Sequence, residues 1–178
     1  MKAVLISIRP RWVELIASGK KTVEIRKTRP KLETPFKCYI YETKGKVERA
    51  RGDEDGYIYQ EGCGAVVGEF VCDSIYNIIN VGNAFIVGKT TAETTRVARA
   101  SCLDFGDMHD YLGHKGGYGW HISALKLYDK PKKLSEFEKA CDHENDCGTC
   151  KWFSVNYACT NSISRQPQSY MYVEEMTT

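Results

Sequence analysis

Apolar and polar positions change their period twice near the start of the chain, and those changes predict its first three elements. Ala3 to Ile8 is an apolar run interrupted only by Ser7, the pattern of a buried strand. Pro10 to Ser18 carries Trp12, Val13, Leu15 and Ile16 at helical spacing, with Pro10 suited to the first turn and Gly19 to the stop. After Gly19 the period becomes two, so that Lys21, Val23 and Ile25 alternate with Thr22, Glu24 and Arg26. One face of this short strand is expected to hold Thr22, Glu24 and Arg26, with Lys20 and Lys21 at the turn leading into it. An ordinary solvated strand face with an exposed ion pair fits the same pattern.

Further along, Phe36 to Thr43 alternates cleanly as another strand, and Gly64 to Ile75 is the longest β-rich run, with Gly68 as a bulge or close-approach point. Lys44 to Gln60 is charged and glycine-containing, which predicts a loop or hairpin tip. Thr91 to Ser101 and Asp104 to Leu112 read as capped helices, and Ser135 to Glu138 as a capping box opening a brief third. Tyr118 to Tyr128 returns to strand-like alternation, and Tyr170 to Glu174 supplies a last strand. Strands and helices do not alternate regularly, so an α+β arrangement around a mostly antiparallel sheet is favoured over a doubly wound parallel one.

The length of 178 residues suits one domain, or one domain with a small appendage. No apolar run approaches a membrane span, and Met1 to Pro10 lacks the order of a signal peptide, so a soluble, cytoplasmic protein is expected. The net charge of +2 conceals a segregation: residues 1–51 hold 14 lysines and arginines against 5 acidic residues, and the remainder holds 11 against 18. Positive potential concentrated in this way favours a phosphate-bearing partner, although a basic surface also serves solubility.

Four of the eight cysteines, Cys141, Cys147, Cys150 and Cys159, fall close together. Cys147-Gly-Thr-Cys150 has the form of a zinc knuckle, and four thiolates would close a structural tetrahedral site, with His143 as a substitute ligand. A redox pair, disulfides and unrelated free thiols remain alternatives. Cys38, Cys63, Cys72 and Cys102 lie in apolar contexts and read as small core residues.

The helix, the Gly19-Lys20-Lys21-Thr22-Val23-Glu24-Ile25-Arg26 strand and the succession of strands together resemble the ASCH domain family, whose members share a PUA-like β-barrel. Gly19, Lys21, Thr22, Glu24 and Arg26 carry the match, and Gly117 to Ser123 resembles a late barrel strand of phage and bacterial members. The resemblance implies an α+β, PUA-like, mostly antiparallel β-barrel with inserted short helices over residues 1–130. Residues 131–178 are then a cysteine-rich extension, zinc-stapled, whose final strand returns to the barrel. It further implies binding of RNA or a modified nucleoside in a basic cleft along this strand. Lys20, Lys21, Arg26 and Arg29 can neutralise phosphates, and Tyr118, Trp120 or His121 can stack on a base. The two aromatic rings also suit core packing, and His121 a satisfied neutral histidine.

Some small bacterial members are acetylcytidine amidohydrolases that use a lysine in this motif, a threonine in the same strand and a glutamate elsewhere. Lys21 matches that lysine. Glu24 stands where the threonine would be, leaving Thr22 as the nearby hydroxyl, with Glu69 a candidate acid or base. A third reading is a protein-interaction module whose acidic carboxyl-terminal part docks a basic partner.

Overall fold

The computed structural model describes residues 1–45, 62–82, 84–141 and 161–176. The loop expected over Lys44 to Gln60 lies outside them beyond Gly45. One sheet contains β1 (Lys2–Ile8), β3 (Phe36–Glu42), β4 (Val66–Cys72), β8 (Ser123–Lys132) and β9 (Tyr170–Glu174), in the order β8-β4-β3-β1-β9. The other contains β2 (Val23–Arg26), β5 (Ile75–Asn80), β6 (Phe85–Val87) and β7 (Gly117–His121), in the order β2-β7-β5-β6. Among the described residues three α-helices accompany them: α1 (Pro10–Ala17), α2 (Thr91–Ser101) and α3 (Phe105–Leu112). Among the described ladders only β1 with β3 is parallel, the crossover being made through α1 and β2.

The α+β expectation holds, whereas closure into one barrel does not, because β2, β6, β8 and β9 remain sheet edges. Two of the expected strands are interrupted, one near its end, where an unexpected strand β5 follows, and one in its middle. The first breaks at Asp73 and Ser74 between β4 and β5, and the second at Ile122 between β7 and β8, just before Ala124 takes a φ of 45°. Both therefore pass from one sheet to the other at a shared corner. Main-chain and side-chain bonds fix that corner: His121 N–H donates to the Ser74 carbonyl at 3.0 Å, and the Ser123 hydroxyl to the Val71 carbonyl at 2.8 Å. Beside them, His121 Nδ1 meets Asp73 Oδ1 at 2.7 Å. On the opposite side of the sandwich no described ladder joins β2 to β1 or β9, which leaves an open seam.

The layers explain which polar groups are driven inward. Between the sheets lie Val4, Ile6 and Ile8 of β1, Val13 and Ile16 of α1, Phe36, Ile40 and Phe70, with Trp120 and Ile122. The outer face of the first sheet is covered by Phe137 and Ile163, packed on Leu5, Tyr39 and Val173. The outer face of the second is covered by Val97 of α2 and by Met108 and Leu112 of α3, packed on Val23, Ile25 and Ile78. Since β2 is covered on both faces, all four of its residues are buried, and Glu24 and Arg26 with them. Burial of such charges is tolerated only when they are paired and hydrogen-bonded.

Local signals behave as their chemistry dictates. Gly19 ends α1 with a φ of 74°, open to glycine without strain. Thr90 and Glu93 form a reciprocal capping box on α2, and Asp104 caps α3 through the Asp107 N–H. A Cβ on Gly68 would stand 2.6 Å from the Lys126 carbonyl, so β4 and β8 approach there as only glycine permits, beside a register shift in the ladder. The brief helix expected at Ser135 is a single 3-10 turn, Leu134–Glu136. No described helix is long and apolar enough to cross a membrane.

The cysteine expectation is corrected in part. Cys38 and Cys72 are core residues, but Cys63 is exposed and Cys102 ends α2 in a left-handed conformation, half-buried. Burial pushes the Cys38 thiol well above its ordinary value, and burial together with the Asp73 charge pushes Cys72 up to about 12. Alkylation of the native protein at about pH 8, followed by peptide mapping, should therefore modify neither Cys38 nor Cys72 until the chain is denatured. Labelling of those two as fast as Cys102 would show that the layer between the sheets is not closed.

Candidate functional site

The open seam holds a cavity of about 410 Å³. This is within the range of roughly 300–1,000 Å³ common for small-ligand sites. Ser7 and Ile8 at the end of β1, Arg9 and Trp12 at the start of α1, and Lys21, Glu24, Ile25 and Arg26 around edge strand β2 form its floor. Asp107 and Tyr111 of α3 and the segment Gln168-Ser169 before β9 complete the walls.

Three charged side chains on that floor make one network. Lys21 Nζ, 2% exposed, donates to the Ser101 carbonyl at 2.7 Å and lies 3.3 Å from Glu24 Oε2. Glu24 Oε1 lies 3.0 Å from Arg26 Nη2, and the same nitrogen donates to the Ser7 carbonyl at 2.6 Å. Arg26 Nη1 reaches the Ser169 hydroxyl at 3.5 Å. The Trp12 ring sits 5.1 Å from the Lys21 ammonium, within cation–π range. Two binding capacities are left over: Glu24 Oε2 is at ion-pair distance from Lys21 without hydrogen-bond geometry, and buried Arg26 Nε has no acceptor among the described residues. A buried donor or acceptor left without a partner costs about 1–3 kcal/mol, so a ligand supplying both partners recovers that cost.

The expected geometry of the motif is corrected at Lys21. Strand alternation would put Lys21 on the face opposite Glu24, but β2 starts only at Val23. Lys21 and Thr22 belong to the preceding turn, where their N–H groups donate to the Leu15 and Ala100 carbonyls, both at 2.9 Å. Freed from the strand's period, the Lys21 side chain turns toward Glu24.

The other candidates are scattered. Lys20 is exposed along α2 and lies outside the cavity lining. The Thr22 carbonyl accepts from Ile122 N–H at 2.8 Å, and Thr22 does not line the cavity. Arg29 is exposed, and its carbonyl accepts the Tyr170 hydroxyl at 2.9 Å. Glu69 on β4 accepts the Tyr128 hydroxyl and pairs with Lys37 at 4.0 Å, far from the seam in the fold. Tyr118 is half-buried against the central core. Trp120 is fully buried, edge-on to Phe36 and Tyr170 with ring centroids 6.0 and 5.2 Å away, so the stacking role expected of it is withdrawn. His121 belongs to the corner. There burial raises the Asp73 carboxyl, but hydrogen bonds from His121, Ser123 and Ser74 outweigh it and leave it below its ordinary value.

Phosphate neutralisation by Lys21 and Arg26 is corrected in the same way, since both are buried and engaged with Glu24. Arg9 is exposed at the cavity and, among the described residues, forms no ion pair. Sequence reasoning did not find Asp107 and Tyr111, although their spacing of four on an amphipathic helix puts them on one face. Burial raises the Tyr111 hydroxyl despite the opposing charge of Arg26, so it stays a neutral donor at physiological pH. Gln168 and Ser169 carried no local signal. Among the described residues no group of three or more His, Cys, Asp or Glu is placed to hold a metal ion, and Cys147, Cys150 and Cys159 lie outside those residues.

Because Arg26 neutralises a buried carboxylate and bonds two other segments, Arg26→Ala should lower unfolding free energy by about 3–5 kcal/mol. Urea titration measures this, and a loss below about 1 kcal/mol would mean that water already reaches Glu24 freely.

No curated protein matches the chain. Among solved structures, a tyrosine-to-phenylalanine mutant of ZmASCH from Zymomonas mobilis is similar over 98% of this chain and 92% of that one, at 19% identity and a TM-score of 0.54. ASCH from the same organism is similar at 19% identity and a TM-score of 0.51, over 97% of this chain and 88% of that one. A serine-to-alanine mutant of ZmASCH gives 18% identity and a TM-score of 0.53, over 97% and 89%. At such identities the likeness concerns the fold. The ASCH domain itself is matched over residues 6–140, a span that contains the whole Lys21, Glu24 and Arg26 network. The chain belongs to the ASCH domain family, a family generally associated with RNA binding.

Proposed function

We propose that the protein binds RNA by taking one nucleotide into the seam cavity, with Glu24 and Arg26 reading the polar edge of its base. The observation carrying this reading is a pair of buried atoms without a hydrogen-bond partner among the described residues, Glu24 Oε2, which has only its ion-pair contact with Lys21, and Arg26 Nε, in two residues that line a 410 Å³ cavity. A nucleobase presents donors and acceptors side by side on one edge and matches such a pair. A phosphate presents acceptors alone and would bring its charge against Glu24. Trp12, Tyr111 and Arg9 supply flat or cationic surface at the mouth for stacking and for the adjoining phosphate. The amino-terminal excess of cations, 14 against 5 in residues 1–51, favours approach of a polyanion. The two-sheet arrangement is consistent with a PUA-like fold, and a free modified nucleoside offers the cavity the same edge.

No observation favours the amidohydrolase alternative over binding. It needs a hydroxyl nucleophile beside Lys21 and a lysine free to take a proton. Here Thr22 lies outside the lining, and the Lys21 ammonium is engaged by Ser101 and Glu24. Cytidine release from acetylcytidine by the native protein, absent in Lys21→Ala, would reverse that preference.

Fluorescence anisotropy with labelled single-stranded RNA at two salt concentrations tests the binding reading. Binding should weaken with salt and fall about tenfold or more in Lys21→Ala, a loss of at least about 1.4 kcal/mol. Arg9→Ala removes an exposed cation, so it should weaken binding severalfold while leaving the circular dichroism melt unchanged. RNA affinity indifferent to both substitutions would remove the seam as the binding site.

A further inference from the structure

Outside the cavity, a second depression runs along α2. We propose that this groove, formed by Lys20, Thr91, Thr95, Arg96 and Arg99, holds the phosphodiester backbone of a single-stranded RNA whose neighbouring nucleotide occupies the seam cavity. The proposal rests on the reading that a nucleotide enters that cavity.

The groove has a volume of about 700 Å³, and its lining contains three cations and no carboxylate. Cations on a helix face are commonly just solvated, but the surroundings of these three set them apart. Among the described residues none of Lys20, Arg96 and Arg99 forms an ion pair. The nearby acid on the helix, Glu93, is committed elsewhere. Its carboxylate accepts from Lys89 N–H at 2.9 Å and from the Thr90 N–H and hydroxyl, both at 3.1 Å. Those bonds lower its pKa ahead of the charge of Arg96, which contributes least among the causes. The Arg96 guanidinium stands 6.0 Å from the Tyr76 ring centroid, close enough for the ring to restrict it. Thr91 and Thr95, one turn apart, add hydroxyl donors suited to phosphate oxygens.

The second observation is contiguity with the cavity. The last turn of α2 is the partition between the two spaces. Ala100 lines the groove, and its carbonyl accepts Thr22 N–H at 2.9 Å. The next carbonyl, of Ser101, accepts the Lys21 ammonium, and Leu103 lines the cavity. Consecutive residues thus serve separate tasks: Lys20 lines the groove and Lys21 floors the cavity. A chain with one base in the seam has a flanking phosphate on the α2 side of this partition, where Lys20, Arg99 and Arg96 line the groove. A duplex is disfavoured, since a base must leave its stack before it can enter the seam.

The experiment compares a labelled single-stranded RNA of about ten nucleotides with unlabelled mononucleotides as competitors. In Arg96→Ala/Arg99→Ala, oligonucleotide affinity should fall about tenfold or more at moderate salt, and the slope of log affinity against log salt should shrink by about 1.4. Mononucleotide competition should stay within about twofold of wild type, because the cavity is intact. Arg96→Lys/Arg99→Lys should restore the slope, which a merely structural role for these side chains would not require. Unchanged oligonucleotide affinity and slope in the alanine variant, with binding still lost in Lys21→Ala, would overturn the groove and leave the cavity reading standing. Tighter binding of a duplex than of a single strand would overturn it as well. Absence of RNA binding by the wild-type protein at low salt would overturn both readings together.

Discussion

The Arg26 guanidinium is the constraint on which the seam depends. It contacts Glu24 in its own strand, the last turn-side carbonyl of β1 at Ser7, and the Ser169 hydroxyl ahead of β9. A backbone ladder across the same gap would have closed the sandwich and filled the space with main-chain atoms. A side-chain bridge holds the edges together and keeps the space open. Hydrogen bonds to a charged group are worth about 1.5–3 kcal/mol each, roughly twice a neutral pair, which allows a few contacts to replace a ladder. Neighbouring contacts of the same kind reinforce the bridge, for Tyr170 donates to the Arg29 carbonyl and Lys31 N–H donates to the Tyr172 hydroxyl at 2.7 Å.

Burial then decides what the site can recognise. An exposed strand carrying lysine, glutamate and arginine would be a weak, salt-screened patch. With the same residues enclosed, the Glu24 carboxylate offsets one of the two cations, and what remains beside a single net positive charge is a directional pattern of donor and acceptor in a buried setting. Shape and hydrogen bonding belong to the seam, whereas long-range charge belongs to the exposed cations around it. Such a division lets affinity and selectivity be set by different residues.

Local chemistry was readable wherever it acted locally. The apolar run of β1, the proline and glycine bounding α1, the alternation of β3 and the caps of α2 and α3 all carry their reasons in nearby residues. The Tyr118 to Tyr128 run read as a single strand because alternation survives a bend; the corner is set by contacts distant in the chain, among them Asp73 with His121, 48 positions apart. Alternation in β2 suggested a wet face and a dry one, but α2 and α3 cover one side and the central core the other. That covering comes from later parts of the chain and left no mark in the motif. Trp120 shows the same limit in reverse: an aromatic beside a functional motif is equally suited to stacking and to the core, and the T-shaped contacts with Phe36 and Tyr170 settle it. Asp107 and Tyr111 were detectable as one face of a helix, yet nothing nearby indicated what that face would meet.

The bridge from Arg26 to Ser169 spans 143 positions, and Gln168 beside it completes the cavity wall. During synthesis the motif emerges early, while Ser169 and β9 follow only after both sheets can already have formed. Long-range contacts of this kind are made late, after loop closure has been overcome. The cavity wall is complete only once β9 docks on β1 and brings Gln168 and Ser169 into place, so the pocket and the fold are finished together.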